Sequence, residues 1–275
     1  MAYEKFKANV MAKAIQKERD RATVLIGDCN REYEGDVKRL GDSVTIKGAG
    51  KITMTTNTDG TQASFGTPET IEGTNSILTI KHISQFNFMV SDVDREQGAD
   101  GALALYQEMA GKQLANEQDK LIASLANDPL AQKSSSTTIT AANVLATIDA
   151  GIQKLWEADV PQNERLVLDV SPKFYMLLKQ NYMALDTNNS EMLKRGAVAM
   201  YGNVDIKLTN NIYQASSKDY IMLRTTKAIA FANPLTKIEA KRANDYMADE
   251  IRGIALYDAK IIKPKEMYVI VSAYS

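Results

Sequence analysis

Gly48-Ala49-Gly50-Lys51 is the stretch of this sequence nearest to a phosphate-binding loop. Such a loop needs a glycine separated by four residues from its Gly-Lys pair, and a Ser or Thr after the lysine to reach magnesium. Thr45 stands at the first position and Ile52 follows Lys51, so the pattern fails at both ends and a hairpin turn is expected. Asp92 and Asp94 could form a carboxylate pair or a cation site. They fall where a strand gives way to a helix, and there Ser91, Asp92 or Asp94 caps the helix or faces its amino end. Asp245, Asp249 and Glu250 form an acidic cluster before a long apolar run and read as a solvated turn. His82, the only histidine, lies at a strand position and reads as a hydrogen-bonded structural residue. Lys173, Phe174 and Tyr175 come nearest to a base-stacking platform, but core packing with a wet tyrosine rim explains them better. No catalytic, cofactor or metal residues are assigned.

The totals point the same way. The 275 residues are 44% hydrophobic, enough for one large domain or two modest ones. Lysine and arginine number 33 against 34 acidic residues, which argues against tight binding to nucleic acid phosphates. The single cysteine, Cys29, cannot form an intrachain disulfide and reads as a small part-buried residue in a reducing compartment. No apolar run reaches signal-peptide or membrane-spanning length, so a soluble protein made inside a cell is expected.

The elements that carry these residues are unevenly apolar. Residues 1–40 are polar, with Val10 and Ala14 on one helical face beside Met11 and Ile15, and a short apolar run at Val24-Leu25-Ile26. This reads as an extended arm lying on something else. Val44, Ile46, Ile52 and Met54 alternate with polar residues, and Ile77–Ile80 and Phe86–Val90 form a second β-rich stretch. Between Lys47 and Ser76 the large apolar residues are Ile52, Met54, Phe65 and Ile71, around a turn signal at Asp59-Gly60. A long hairpin this poor in apolar side chains needs a neighbouring molecule to hold it.

Residues 93–127 read as one long helix, or a short helix followed by a long one, and even 28 residues of it would span about 42 Å. Leu103, Tyr106, Ala110, Leu114, Leu121 and Leu125 lie on its apolar side, and Glu108, Lys112, Asn116, Asp119 and Lys120 on its polar faces. Residues 133–139 read as a Ser/Thr linker, and Thr140 as the cap of a helix carrying Val144, Ile148, Ile152 and Leu155. Leu166–Leu168 is a buried strand, and Ser171-Pro172 opens a helix with Phe174, Leu177 and Leu178 inward. From residue 200 the chain turns β-rich, with separate strands at Val204–Leu208, Tyr220–Leu223, Ala228–Phe231, Lys237–Arg242, Ile251–Ile262 and Tyr268–Val271. Strands and helices are grouped rather than alternating, an α+β pattern.

In this order, the elements resemble the major capsid proteins of tailed bacteriophages with the Hong Kong 97-type fold. The stretches that carry the resemblance are Asn30–Val37 with Gly41–Ile46, Phe88–Gln97, Ala158–Pro161, Leu168–Leu178, Ala232–Arg242 and Arg252–Pro264. The resemblance implies an amino-terminal arm at 1–40 and an extended hairpin loop at 41–80. It implies a peripheral domain with a spine helix at 81–134 and an axial domain at 135–230. Residues 231–275 are then return strands of the peripheral domain, with the last strand reaching the axial domain.

The implied function is a non-enzymatic head-shell subunit of the virion, made in the bacterial host cytoplasm. Its main partner is itself, in hexamers and pentamers of a closed shell, with scaffolding, portal and decoration proteins as further partners. The chain begins directly at the arm, so a leading scaffolding segment is expected to be absent or removed. No crosslinking lysine, asparagine and acid can be matched. The expected contacts between subunits are Val10 in the arm, Ile52, Met54 and Phe65 as hairpin anchors, and Lys47, Lys51, Asp59, Glu69 and Glu72 setting register. The competing readings are an encapsulin-like non-viral compartment and a soluble binding domain with the hairpin as a lid.

Overall fold

The computed structural model of the chain describes residues 13–20, 22–36, 39–47, 75–91, 102–184, 200–243 and 246–274. Its longest strands form a three-stranded antiparallel sheet in the order β11 (Ile229–Arg242), β12 (Ala248–Ile261), β3 (His82–Ser91). Alternation puts Ile251, Gly253, Ala255 and Tyr257 on one face, in register with Phe88, Phe86, Ser84 and His82 of β3. The spine helix, α2 (Ala102–Ser124), packs on that face through Leu114 and Ile122, and a short 3-10 turn, Leu125–Asn127, ends it. Its 23 residues span about 34 Å.

Two glycines permit close approaches here. Gly253 lies opposite Phe86, whose ring covers it so closely that a Cβ would fall 2.0 Å from Cζ. Gly111 of α2 meets the arm helix α1 (residues 13–20), where a Cβ would lie 2.8 Å from the Ile15 carbonyl oxygen. Ile15 itself is fully buried against Ile238 and Ile251.

A second, larger sheet runs β4 (Gln132–Lys133), β13 (Met267–Tyr274), β10 (Lys218–Thr225), β6 (Leu166–Val170), β8 (Val204–Leu208), β7 (Met200–Tyr201). β5 (Thr137–Ile139) also pairs with β13, and β9 (Tyr213–Ala215) with β10. Helices α3 (Val144–Glu157) and α4 (Pro172–Ala184) cover one face, where Ile148, Leu155, Phe174 and Leu178 meet Leu168, Ile221, Leu223 and Ile270. The alternate residues Met222, Met267 and Val269 point the other way and share a core with Leu25 of the arm and Ile122 of the spine helix. The third sheet is the two-stranded ribbon of β1 (Ser43–Lys47) and β2 (Asn75–Thr79), antiparallel from Ser43↔Thr79 to Lys47↔Asn75. Among the described residues no helix is long and apolar enough to cross a membrane.

Four expectations are corrected. Lys133–Ile139 is no free linker: β4 and β5 run parallel to β13, and Ser134 accepts a hydrogen bond from Val271 N at 2.9 Å. Thr140 does not cap α3, because the helix starts at Val144 with Asn143 at its N-cap position. The Asn143 side chain turns back instead, accepting from Thr140 N (2.8 Å) and donating to Thr138 O (2.9 Å). The strands expected at 228–231 and 237–242 are one strand. Its register shifts between Ala232 and Leu235, which accommodates Pro234, and Glu34 accepts the Asn233 N–H at 3.2 Å. Asp119 does not lie on a solvated face of the spine helix but is wholly buried. The Ser171 cap stands as expected: its hydroxyl accepts from Phe174 N at 3.3 Å, with Pro172 first in the helix.

Candidate functional site

The arm and the hairpin both leave the body beside β11, and buried polar groups fix the arm's root. Alternation along β10 sends Ile221 and Leu223 to the helices, and Met222 and Arg224 to the opposite face. In β6 the same rule sends Leu166, Leu168 and Val170 one way and Asp169 the other, in register with Met222. Arg224 and Asp169 therefore meet, both fully buried, with Nε 3.2 Å from Oδ2. The guanidinium then reaches the arm, donating through Nη2 to Leu25 O at 3.3 Å and through Nη1 to Asp28 O.

Asp119 of the spine helix holds the same peptides by their amides. Its Oδ2 accepts from Val24 N at 3.0 Å and its Oδ1 from Leu25 N at 3.2 Å. Leu25 and Ile26 are buried in the central core, each stabilising the docked arm by about 1.5–3 kcal/mol. The Asp28 carboxylate faces Arg165 (3.4 Å) and Lys207 (3.8 Å), and Arg165 also pairs with Asp205 at 2.6 Å. Asn30 then adds a parallel bridge to β11, donating to Ile229 O at 2.8 Å and accepting from Phe231 N at 2.9 Å.

Burial governs the electrostatics. Desolvation pushes the Asp119 carboxyl up to about 6, against the amides of Val24 and Leu25 that favour its charge. Asp169 is likewise raised by burial, with Arg224 pulling it back. Burial works against the Arg224 charge too, but Asp169 and its other neighbours outweigh it and keep the guanidinium above its usual range. Cys29, buried beside them with Sγ donating to Leu25 O at 3.3 Å, is pushed up to about 11 by desolvation.

The hairpin root is apolar at its centre. Ile46, Leu78 and Ile80 pack on Ala230, Ala232 and Leu256. Ala230 thus lies between the two roots, bridged to Asn30 on one side and packed against the hairpin base on the other. Lys260 donates to Ile77 O at 2.7 Å, and Asp258 accepts from Lys81 N at 3.0 Å. His82 opens β3 with Nδ1 3.3 Å from Asp258, a structural setting for the only histidine.

Of the expected contact residues, Lys47 ends β1 opposite Asn75, at the outer limit of the described ribbon. Val10, Lys51, Ile52, Met54, Asp59, Phe65, Glu69 and Glu72 lie outside the described residues, as do Asp92, Asp94, Asp245 and Gly48–Lys51. Asp249 and Glu250 belong to β12 rather than to a preceding turn, and pair with Arg242 (3.2 Å) and Arg252 (2.6 Å). Phe174 is core, and Lys173 sits 5.7 Å over the Tyr274 ring.

Asp28, Asp169 and Arg224 were not among the residues singled out from the sequence, and Asp119 was expected on a polar face. A signal was present for two of them: Asp169 interrupts the apolar strand Leu166–Val170, and Arg224 directly follows the apolar run Ile221–Leu223, and a buried charge in such a place needs a partner.

No protein-family profile and no curated protein matches the chain. Solved structures do match. A chain from Mycobacterium phage Che8 is 24% identical, with a TM-score of 0.74 over 90% of both chains. A chain of the Cyanophage P-SCSP1u capsid is 15% identical, with a TM-score of 0.67 over 87% of this chain and 85% of that one. A virus-like particle from Pyrococcus furiosus is 14% identical, with a TM-score of 0.64 over 96% and 99%. The likeness is one of fold, and the fold is the α+β Hong Kong 97 type that the order of elements implied.

Proposed function

We propose that this chain is the major capsid protein of a tailed bacteriophage, closing with copies of itself into the icosahedral head shell around the genome. The observation that carries this reading is the match to phage structures, capsids among them, over nearly the whole length of both chains. The arrangement of the roots supports it. The arm root and the hairpin base are both packed on the body, whereas residues 48–74 carry few large apolar side chains and in this reading gain their stability from a neighbour. In this mechanism the hairpin lies over one neighbouring subunit and the arm reaches across another. Ile52, Met54, Phe65 and Val10 are the apolar anchors, and Lys47, Lys51, Asp59, Glu69 and Glu72 set register. Each contact is weak alone, and closure of hexamers and pentamers into a shell multiplies them.

The role is structural rather than enzymatic. Near-balanced charge suits a container that encloses its genome without gripping it. Residues 1–40, 41–80, 81–134, 135–230 and 231–275 serve as arm, hairpin loop, peripheral domain, axial domain and return strands. Scaffolding, portal and decoration proteins are the further partners of this reading.

A non-viral compartment is the second reading, favoured by the match to the Pyrococcus furiosus virus-like particle. Sedimentation of the purified chain with negative-stain microscopy of the fast fraction tests both. Closed, uniform particles are expected, and an enzyme co-purifying inside them selects the compartment. A monomer that persists with crowding agents and with scaffold supplied in trans overturns the shell.

A further inference from the structure

We propose that docking of the arm root onto the body takes up a proton at Asp119, so that mild acid tightens the arm and neutral pH loosens it. This is a property of the single chain and holds whether or not the chain builds a shell.

The geometry sets the sign. Asp119 is wholly buried beneath the docked arm, where it accepts from the backbone amides of Val24 and Leu25 and also feels that of Ile26. Among the described residues no basic side chain forms an ion pair with it within 4.0 Å. The charged and titratable groups that act on it are Asp169 of β6 and Cys29 of the arm, and Cys29 in turn lies beside Asp28 and Arg224 of β10. Arg224 is committed to Asp169 and to two arm carbonyls, while Arg165 and Lys207 lie on Asp28. Asp169 opposes the Asp119 charge as well. Docking therefore moves a carboxylate out of water into a site that supplies dipoles and no cation. Lifting the arm returns it to the surface of the spine helix as an ordinary carboxylate.

Burial raises its pKa from the 3.8 of an ordinary carboxylate to about 6 in the docked state. A group raised in the closed state favours closure fully below its free value, and that advantage is lost as pH rises through the closed value. The arm is accordingly tightest below about pH 4, loosens through the window from 4 to 6, and changes little above it. A protonated Asp119 still offers its carbonyl oxygen to one arm amide.

Cys29 is the probe. It is the only cysteine, it is buried within the docked root, and its thiol becomes reachable when the root lifts. The rate at which a dithiodipyridine reagent labels Cys29 in the full chain is divided by its rate on an unstructured cysteine peptide at each pH. Protection is expected to fall roughly fiftyfold between pH 4 and 6.5 and then level off. In Asp119→Asn protection should be flat across the same range. Equal slopes in the two proteins, or a flat wild type, overturn the proposal. So does a steep dependence of labelling on denaturant, which would mark global unfolding rather than local opening. A carboxyl-carbon NMR titration of wild type needs no variant: a midpoint for Asp119 near 6 is expected, and one near 4 overturns it.

Discussion

Arg224 and Asp119 hold one residue, Leu25, by its two backbone polar groups: the guanidinium takes the carbonyl at 3.3 Å and the carboxylate takes the amide at 3.2 Å. One grip comes from the large sheet and the other from the spine helix, so the arm root ties the two parts of the molecule together. Both charges are buried to make that contact. A buried charge is retained at a cost, and here it fixes where a polar connector leaves the body.

Arg224→Met should therefore be severely destabilising. It leaves Asp169 buried without its cation and strips two arm carbonyls of their donor. A loss of about 3–5 kcal/mol is expected, read as a lower denaturant midpoint. Adding Asp169→Leu removes the stranded charge and should restore a large part of that loss. A double variant no better than the single would show that the carbonyl contacts, and not the ion pair, carry the cost.

Asp119→Asn should behave in the opposite sense at neutral pH. The raised pKa means that ionised Asp119 opposes folding above pH 6, by up to roughly 3 kcal/mol relative to a free carboxylate. Removing the charge recovers this, less about 1 kcal/mol for a weakened hydrogen bond to the arm. The variant should thus be more stable than wild type at pH 7.5. Its advantage should shrink as pH falls through 6 and vanish near 4. Chemical unfolding of both proteins at pH 4, 5, 6 and 7.5 measures the difference, and an advantage that grows toward acid refutes the assignment.

Gly253→Ala should cost about 1–3 kcal/mol, because the new methyl would meet the Phe86 ring at 2.0 Å and force it off the strand. In a Phe86→Ala background the same change should cost far less. A double-mutant cycle on thermal or chemical unfolding gives the coupling between them. No coupling would mean that the glycine serves the backbone and not the aromatic ring.

How much of this was legible in the sequence depends on how local each cause is. Ser171-Pro172 starts a helix by its own chemistry, and Val204–Leu208 alternates into the sheet as its pattern dictates. Asp119 was placed on the wrong side of the spine helix because its partners, Val24 and Leu25, lie 95 and 94 residues away. Thr140 looked like a cap because Asn143 spends its side chain on a turn. Ala228–Phe231 and Lys237–Arg242 read as separate strands, and what joins them through Pro234 is a register shift and an acceptor for Asn233 N–H supplied by Glu34 in the arm. The serines and threonines of 133–139 read as a linker, yet two short runs of that segment pair with β13. The hairpin base was legible from Val44, Ile46 and Ile77–Ile80, while the residues expected to touch neighbours lie mostly beyond it.

Deleting residues 50–72 separates the two roles of the hairpin. The ribbon pairs as far as Lys47↔Asn75, so the deletion leaves Gly48-Ala49-Gly73-Thr74 to join the strands. A four-residue loop with two glycines suits an antiparallel connection. The buried base, Ile46, Leu78 and Ile80 on Ala230 and Leu256, is untouched. The shortened chain should therefore unfold within about 1 kcal/mol of wild type, since the buried base that holds the ribbon is kept whole. It should nonetheless fail to form closed particles, because Ile52, Met54 and Phe65 are gone. Chemical unfolding and sedimentation of the same preparation give both answers. Normal shells from the deleted chain would sink the interlocking mechanism, and a misfolded chain would mean that the hairpin belongs to the fold of the single subunit.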